Sequence, residues 1–429
     1  MIEIKGNYAS AKVFTDSLEV EAYEQIEDIL NSSLSEGELI RIMPDVHVGK
    51  CGPIGFTMTF RNGKVAPSIV GVDIGCGVDS FNLGENPVDF AALDSIIRQH
   101  IPSGHCVNGT IDWQMLEATY SRLLASSFFP WKDFVAEVER IATDVGSDVN
   151  RTWLAVGSLG GGNHFIAINE TLNNGGGWKK PQYWLTIHSG SRNFGLRVAE
   201  YWQAQAVSSL AGDLRGDFDA KTEELKKLYT GEELGHKIAE ARALFNEMAA
   251  LQKSKLACLE GPAAKQYVAD ARIAQIYAEL NRATMAVKIM NVLDREAVDH
   301  VRSIHNYVSV GDQTIRKGAI SAYKNERVVI PLNMKDGVIF GFGKGNEEWN
   351  HSAPHGAGRR MSRGQAKREL SVDAFKEQME GVWSSCVGEA ILDEAPDAYK
   401  SAAEIVQYVK DTVDIVEVAK EVYNFKATE

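Results

Sequence analysis

The 429-residue chain has no long hydrophobic run and no recognisable targeting segment. No stretch approaches the ~20 consecutive apolar residues that a membrane-spanning helix needs. The first 14 residues, MIEIKGNYASAKVF, mix charges with short apolar runs, which predicts neither a signal peptide nor a transit peptide. These absences predict a protein without membrane spans that works in the cytoplasm.

The chain is also poor in cysteine and has no excess of positive charge. Its five cysteines are widely spaced and form neither a disulfide framework nor a paired CxxC zinc motif, so a reducing compartment is expected. The net charge of −13 argues against a surface that coats nucleic acid. Residues 355–368 (HGAGRRMSRGQAKR) carry five basic residues and no acid. As a charge run alone, this segment is more often a solvated helix start than a binding groove.

Hydrophobic periodicity predicts an α+β fold, strand-rich over the first ~190 residues and helical over about 196–295. Residues 19–31 predict a helix, and residues 38–49 predict a strand that runs into a loop. Residues 65–81 and 153–168 each predict a strand, a glycine loop and a second strand. Residues 182–195 predict a strand that ends at His188.

One apolar face in the helical region predicts ordinary core packing. Its members are Ile273, Ile276, Tyr277, Leu280, Val287 and Met290. Residues 318–334 return to a strand-like pattern, and helices are expected to close the chain after about residue 362. Without a repeat or a long linker, we expect one domain over residues 1–429, with a helical insertion at about 196–295.

Five glycine-containing loops each carry a metal-capable or nucleophilic side chain, and a sixth loop lacks the glycines. A single strand-end histidine is usually structural, and a single cysteine is usually a small buried hydrophobe. Several such loops at predicted strand ends predict a site, because rigid scaffolds present chemistry on loops. The loops are MPDVHVG (Asp45, His47), GVDIGCGV (Asp73, Cys76), GGGNHF (Asn163, His164), IHSGSR (His188, Arg192), APHGAGR (His355, Arg359) and IHNY (His305, Asn306).

The ligand types in these loops narrow the choice of metal. One carboxylate, one thiolate and several imidazoles suit Zn²⁺, Mn²⁺, Fe²⁺ or Co²⁺ better than Ca²⁺ or Mg²⁺. Five ligands exceed the four of a closed structural zinc site and would suit two metals that share a bridging thiolate. Two close cations are the usual arrangement for clamping a phosphate during an in-line displacement.

His355 differs from the other histidines because Pro354 precedes it and two glycines follow closely. Backbone N–H groups of such a loop can cradle phosphate oxygens, and Arg359 can bind another phosphate. His355 is either a nucleophile toward phosphorus or a general acid or base in a hydrolase, and the spacing alone leaves both open. The contiguous Lys335–Gly337 predicts a hairpin turn rather than a nucleotidyltransferase lysine.

These motifs occur in one order along the chain, and together they closely resemble the RtcB family of RNA-splicing ligases. The resemblance implies an enzyme that uses GTP and two Mn²⁺ ions. Such an enzyme joins RNA with a 3′-phosphate or 2′,3′-cyclic phosphate to RNA with a 5′-hydroxyl, through a guanylylated histidine. The resemblance runs from about residue 40 to YNFKA and rests on MPDVHVGKCGPIG, GVDIGCG, GGGNHF, HSGSRNFG, AQIYAELNR, RKGAISA and APHGAGRRMSR.

The resemblance also implies a division of the metal ligands. Asp73, Cys76 and His164 would hold the first Mn²⁺. Cys76 would bridge to a second Mn²⁺, completed by His188 and His305. The glycines around Asp73 and Cys76 would let both side chains reach the metals.

The remaining implied roles concern the nucleotide and the RNA. His355 would be the nucleophile, and Arg192 and Arg359 would meet phosphates. The partners implied are RNA ends and, in some relatives, an activating archease; a monomer is favoured. The implied guanylate contacts are Asn163, His305, Asn306, Pro331, Met334, His355, Gly356, Ala357, Gly358, Tyr399 and Lys426.

Two departures from the family pattern affect the nucleotide site. The family usually has a base-reading glutamate where this chain has Ala167, and many members have PGSM where this chain has PLNM (Pro331–Met334). Loss of a hydrogen-bonding partner weakens discrimination, so the choice of GTP over ATP is open. The competing interpretations are a dinuclear metal phosphoesterase acting on RNA ends and an RNA-end-binding metalloprotein without catalysis.

Overall fold

The structure is a computed structural model that describes residues 1–123, 129–171, 180–210, 214–253 and 256–427. The described residues form both strands and helices, with only helices between β7 and β8, which confirms the predicted α+β class. Among the described helices, none combines the length and the apolar character that crossing a membrane requires.

The elements are numbered in chain order. The described strands are β1 (Ile2–Lys5), β2 (Ser10–Val13), β3 (Ile40–His47), β4 (Ile54–Thr59), β5 (Gly77–Asn82), β6 (Phe165–Glu170), β7 (Tyr183–Ser189), β8 (Asp299–Ile304), β9 (Asn306–Ser309), β10 (Thr314–Lys317), β11 (Ala319–Ser321), β12 (Arg327–Pro331), β13 (Val338–Gly343), β14 (Ser352–Pro354) and β15 (Val413–Lys426). The described helices are α1 (Val20–Leu30), α2 (Pro67–Val70), α3 (Phe90–His100), α4 (Trp113–Leu123), α5 (Trp131–Asp144), α6 (Val149–Leu154), α7 (Arg192–Leu210), α8 (Leu214–Leu228), α9 (Gly231–Lys253), α10 (Gly261–Val292), α11 (Arg363–Glu369), α12 (Val372–Gln378) and α13 (Ala402–Val409). Short 3₁₀ turns occupy Ser33–Ser35, Glu347–Trp349, Glu389–Glu394 and Pro396–Ala398.

The strands form two larger sheets and one small one. The six-stranded sheet has the order β1-β2-β3-β4-β10-β9, and β11 pairs with β14. The seven-stranded sheet has the order β12-β13-β15-β6-β7-β5-β8, and every neighbouring pair in it is antiparallel. This second sheet positions most of the functional residues.

Helix α10 joins two hydrophobic clusters. Its N-terminal two thirds pack into the cluster that includes the six-stranded sheet, and its last turns pack under β6, β7 and β15. The predicted apolar face of this helix is buried, except that Val287 is partly exposed. The prediction of core packing is therefore confirmed. Whether residues 196–295 form an insertion stays a prediction, and residues 211–213 and 254–255 of that range lie outside the described residues.

Several predicted elements are confirmed, among them α1, β3, β7 and β12. The predicted turn at Lys335–Gly337 is also confirmed, because it lies in the connection between the antiparallel strands β12 and β13. There the backbone N–H of Leu332 donates to the carbonyl of Gly337 over 2.8 Å.

Three predictions of local structure are wrong. The segment before the first glycine loop is the short helix α2 rather than a strand, because Pro67 in its first turn has a helical φ and needs no N–H partner. The segment before the second is α6, which Asp148 caps by accepting a hydrogen bond from the Arg151 N–H. The long strand β15 follows the C-terminal helices, because its alternating apolar residues pack on a sheet that forms far upstream.

Candidate active site

Four strand ends of the seven-stranded sheet meet at one edge and carry ligand-type side chains. Cys76 and His164 directly precede β5 and β6, His188 lies near the end of β7, and His305 directly follows β8. The start of β6 pairs with the end of β7, and the start of β5 pairs with the ends of β7 and β8. Antiparallel register therefore gathers residues that are up to 229 positions apart in sequence, from Cys76 to His305.

The five predicted metal ligands form one continuous cluster. The Sγ atom of Cys76 lies 3.5 Å from Nε2 of His164 and 3.3 Å from Nε2 of His188. The Nε2 atoms of His188 and His305 are 3.3 Å apart, and Oδ2 of Asp73 lies 3.1 Å from Nε2 of His164. The ligand atoms of Cys76, His164 and His188 all lie within 4.8 Å of one another.

Hydrogen bonds fix how two of these imidazoles present their nitrogens. Nδ1 of His164 lies 3.0 Å from the carbonyl oxygen of Leu159, and Nδ1 of His188 lies 3.2 Å from that of Asn163. A carbonyl only accepts, so Nδ1 carries the hydrogen in both rings and Nε2 presents a lone pair. Two lone pairs then face the sulfur of Cys76, an arrangement that a shared cation would satisfy. The donor set therefore fits a bound transition metal.

Burial favours the uncharged forms of Cys76, His188 and His305. Burial raises the pKa of the Cys76 thiol well above its ordinary value, and the nearby Asp73 carboxylate raises it further. Burial also lowers the pKa values of His188 and His305 well below the ordinary value. Neutral imidazoles are the metal-binding form, and a metal would displace the thiol proton.

Asp73 approaches the backbone closely because Gly190 has no side chain. A Cβ atom at position 190 would lie 2.0 Å from Oδ1 of Asp73, so only glycine fits there. The same oxygen accepts a hydrogen bond from the Ser191 N–H at 2.9 Å. Burial raises the pKa of Asp73, but the neighbouring His164 and the hydrogen bond from the Ser191 N–H outweigh burial and leave it below its ordinary value.

Arg192, a predicted phosphate contact, is held by hydrogen bonds to two other loops of the protein. Its Nε donates to Oγ of Ser158 at 3.0 Å, and its Nη2 donates to the carbonyl of Gly104 at 2.6 Å. Gly160, at a φ of +90°, makes room for it, since a Cβ there would lie 2.2 Å from Nη1 of Arg192. Its role toward a phosphate stays a prediction.

Helix α10 holds two of the ligand-bearing loops through Arg282, whose role the sequence did not predict. Arg282 is completely buried, and its Nη1 donates to the carbonyls of Gly75 and Ser189, each at 2.9 Å. Its Nε forms an ion pair with Asp79 on β5 at 2.5 Å. One guanidinium thus connects the loop of Cys76 to the end of the strand that carries His188.

The neighbouring Asn281 holds the third loop. Its Oδ1 accepts from the N–H groups of Gly157 and Ser158 at 2.8 and 3.1 Å, and its Nδ2 donates to the carbonyl of Gly190 at 3.0 Å. The only signal in the sequence was that Asn281 and Arg282 belong to the AQIYAELNR motif.

His355 is oriented by Asp45. Nδ1 of His355 lies 2.6 Å from Oδ2 of the fully buried Asp45, and the backbone N–H of His355 donates to the same oxygen at 3.0 Å. The carboxylate accepts the Nδ1 hydrogen, so Nε2 is left with a lone pair. The ring centroids of His355 and His305 are 4.9 Å apart, which places the histidine directly beside the metal cluster. The sequence pointed to Asp45 as metal-capable but not to this pairing.

A cavity of about 1160 Å³ opens beside His355, His305 and His188. Asn306 does not line it, because its Oδ1 accepts from the Gly318 N–H and its Nδ2 donates to the Asp73 carbonyl. The other predicted guanylate contacts all line the cavity. They are Asn163, His305, Pro331, Met334, His355, Gly356, Ala357, Gly358, Tyr399 and Lys426.

One side of the cavity, which we term the cationic wall, surrounds the buried Glu394 with Arg359, Arg363, Tyr399 and Lys426. Glu394 Oε2 accepts from Lys426 Nζ at 2.6 Å and from the Tyr399 hydroxyl at 2.7 Å. Its Oε1 accepts from Arg363 at 2.9 Å and from Arg359 at 3.1 Å. Burial raises the pKa of Glu394, but the three cations outweigh burial and lower it to about 2.

A second buried glutamate, Glu421, lies in what we term the amide floor, together with Asn169 and Asn424. Nδ2 of Asn169 donates to Oε2 of Glu421 at 2.5 Å, and Nδ2 of Asn424 donates to Oε1 at 2.7 Å. Glu421 and Asn424 line the cavity. Burial raises the pKa of Glu421 to about 8, because the two amides and the more distant Lys426 offset only part of the cost of burying the charge. Neither Glu394 nor Glu421 lies in a motif, and no local pattern pointed to them.

Comparison with known proteins identifies what this chain is similar to. The family described as "RtcB: tRNA-splicing ligase RtcB" matches residues 34–427. The RNA-splicing ligase RtcB of Escherichia coli (strain K12) is 26% identical over 443 residues, which cover 96% of each chain. The tRNA-splicing ligases RtcB of Aeropyrum pernix and Thermococcus kodakarensis are 25% and 24% identical and cover 92% and 93% of this chain and 90% of their own.

Proposed function

Since the chain belongs to the RtcB family of tRNA-splicing ligases, we propose that it is an RNA ligase. It joins a 3′-phosphate or 2′,3′-cyclic phosphate end to a 5′-hydroxyl end, in RNA splicing or repair. The observation that carries the proposal is the pairing of His355 with Asp45 directly beside the cluster of metal ligands. That arrangement supports a nucleophile and a metal centre that act at one cavity.

The metal centre of the proposed ligase takes two Mn²⁺ ions. Asp73, Cys76 and His164 would hold one, and Cys76, His188 and His305 the other. Support comes from the convergent Nε2 lone pairs and the neutral imidazoles described above. Bound there, the ions would offset the charge of the transferring phosphoryl group.

His355 is the proposed nucleophile toward GTP. Its Nε2 lone pair forms a bond to the α-phosphorus while the bond from that phosphorus to the bridging oxygen breaks and pyrophosphate leaves. Asp45 holds Nδ1–H and stabilises the positive charge that develops on the ring. The guanylyl group then passes to the RNA 3′-phosphate. The 5′-hydroxyl attacks that activated end, and GMP leaves.

The nucleotide would bind along the cavity. The backbone of Gly356–Gly358 lies next to His355 and suits phosphate oxygens. The amide of Asn163, the hydroxyl of Tyr399 and the ammonium of Lys426 supply further polar contacts. Arg359 and Arg192 are the proposed phosphate-facing cations, and both would exchange a present hydrogen bond for a substrate phosphate.

A dinuclear metal phosphoesterase is the second candidate, because an imidazole held by a carboxylate also suits a general acid or base. The two functions differ in whether a covalent nucleotide adduct forms. The test therefore incubates the protein with α-labelled GTP or ATP and Mn²⁺ and resolves it under denaturing conditions. We expect an acid-labile, alkali-stable label from GTP that disappears in His355→Ala.

The matched control is His100→Ala, which changes an exposed histidine at the end of α3 and should leave labelling unchanged. Ligation of RNA with defined ends, with and without an archease, should follow the same pattern across the variants. A wild-type protein that binds metal, forms no adduct with either nucleotide and hydrolyses RNA end phosphates would overturn the ligase proposal in favour of the phosphoesterase.

A further inference from the structure

The amide floor contains a buried acceptor that has no partner. Glu421 and Asn424 are only 2% and 1% exposed, and both line the cavity. Nδ2 of Asn424 faces the Glu421 carboxylate, which only accepts when ionised, so Oδ1 of Asn424 points away from it. Among the residues that the structure describes, none donates a hydrogen bond to that Oδ1 atom. A buried polar atom left unpaired is costly and calls for an explanation.

The neighbours of this acceptor leave it available to a ligand. Across the sheet, Asn424 pairs with Ala167, whose methyl group offers no hydrogen bond, and a bulge between Glu421 and Tyr423 brings Glu421 to the same face. Among the described residues, no lysine or arginine forms an ion pair with Glu421. The floor therefore presents oxygens without a cation, unlike the wall around Glu394.

The position of the floor suits the base of a nucleotide whose phosphates lie at His355. Phe165 and Lys426 pair at the end of β6 and β15 nearest the metal cluster, and the Phe165 ring centroid lies 5.4 Å from that of His188. Asn424 and Glu421 lie further along β15, opposite Ala167 and Asn169 of β6. At about 3.4 Å per residue, they lie roughly 7 to 14 Å from that end, on the order of the length of a nucleotide.

We propose that Glu421 and Asn424 read the base of the bound nucleotide and select guanine over adenine. This inference rests on the proposed function and names the residues that determine its specificity. Guanine presents two neighbouring donors, N1–H and N2–H₂, which match the carboxylate of Glu421 and the free Oδ1 of Asn424. Adenine presents one donor and, next to it, the N1 acceptor. Above about pH 8, where Glu421 is ionised, this acceptor faces the carboxylate without a hydrogen between them.

The test compares adduct formation with α-labelled GTP, ATP and ITP above pH 8, where Glu421 is ionised, and measures kcat/KM for each. Wild-type protein should prefer GTP to ATP, and it should lose at least about tenfold on ITP, which lacks the N2 amino group. Glu421→Gln places a donor beside N1, which repels guanine and suits adenine. It should lower the ratio of GTP to ATP by about 100-fold or more, whereas a merely structural role would lower both equally.

Asp414→Asn changes an exposed carboxylate on the same strand and should leave the ratio at the wild-type value. Equal use of ITP and GTP by the wild type, a wild-type preference for ATP, or an unchanged ratio in Glu421→Gln would each overturn the inference. In all three cases an adduct still forms, so the ligase proposal survives. The ITP comparison uses only the wild-type chain and stays informative if the variant folds poorly. Failure of the ligase proposal would instead appear as no adduct with any nucleotide.

Discussion

The cationic wall and the amide floor each hold a buried glutamate at the same cavity, and they shift the pKa values of these two glutamates in opposite directions. Glu394, in contact with three cations, has a pKa of about 2, whereas Glu421, held by two amides, has a pKa of about 8. Both carboxyl groups are almost completely buried, so burial alone does not explain the difference. What decides the protonation state of a buried acid here is whether neighbouring charges offset its desolvation.

The contrast divides the cavity into a charged side and a neutral side. The wall, with Lys426 and Arg359 on one carboxylate, suits the phosphate end of a nucleotide. The floor suits an uncharged base that is recognised by hydrogen bonds. Substitution of each glutamate, or of a cation beside it, therefore tests this comparison directly.

The largest effect is expected from Glu394→Gln. The substitution leaves the buried Lys426 and the partly buried Arg359 without their shared carboxylate, which should lower the free energy of unfolding by about 3 to 5 kcal/mol. Urea denaturation followed by tryptophan fluorescence measures the change. The control is Glu389→Gln, an exposed carboxylate in the same 3₁₀ turn, which should match the wild type.

The unfolding free energies of the same two variants should also differ in how they depend on pH. The folded-state pKa of Glu394 lies below its ordinary value of 4.5, so its contribution is fully present above that value. The contribution is lost as the pH falls from about 4.5 toward about 2. The unfolding free energy of Glu394→Gln should not show this additional fall in acid. If the unfolding free energy of the variant still fell below pH 4.5 as it does in the wild type, the three cations would not be what lowers the pKa of Glu394.

An intermediate effect, of opposite sign in pH, is expected from Glu421→Gln. The folded-state pKa of Glu421 lies above its ordinary value, so the folded protein binds the extra proton and loses stability as the pH rises from 4.5 to about 8. Glutamine stays neutral and should flatten this decline, by a few kcal/mol at pH 8. Unfolding free energies at pH 5.5, 7 and 8.5 measure the slope, and Asp414→Asn should keep the wild-type slope. Identical slopes in all three proteins would mean that Glu421 carries no raised pKa.

The smallest effect is expected from Arg363→Ala. The side chain of Arg363 is 46% exposed, and Glu394 retains Lys426 and Arg359 when it is removed. Solvent screening should limit the loss of unfolding free energy to about 1 kcal/mol or less. The same denaturation series measures it. A loss as large as that of Glu394→Gln would show that the wall depends on its exposed member and not on the buried ones.

Sequence patterns pointed to the side chains that cluster because these residues follow a local rule. Cys76, His164, His188 and His305 each lie at the end of a strand next to glycine, serine or asparagine, and hydrophobic alternation locates strand ends. The helices α2 and α6 were missed because a proline and an aspartate start helices within segments whose apolar runs resemble strands. Both errors left the glycine loops in the right place.

Partnerships between distant side chains were beyond the reach of sequence patterns. Asp45 and His355 are 310 positions apart, and Asn169 and Glu421 are 252 apart. Each pair depends on the tertiary arrangement of strands and not on a spacing within one element. Arg359 illustrates the same limit, since its contacts with Glu394 are invisible in the basic run where it occurs.

Strand β15 lies in the interior of the seven-stranded sheet, between β13 and β6, although it follows every other described strand in the chain. During synthesis, β12 and β13 therefore have no backbone strand pairing with the β6-β7-β5-β8 half until β15 has left the ribosome, although side-chain hydrogen bonds link β12 to β8. Until then, the edges of β13 and β6 expose unpaired backbone groups of the kind that chaperones protect from aggregation. The last strand made is the one that joins, by backbone pairing, the half of the sheet that carries the candidate metal ligands to the other half.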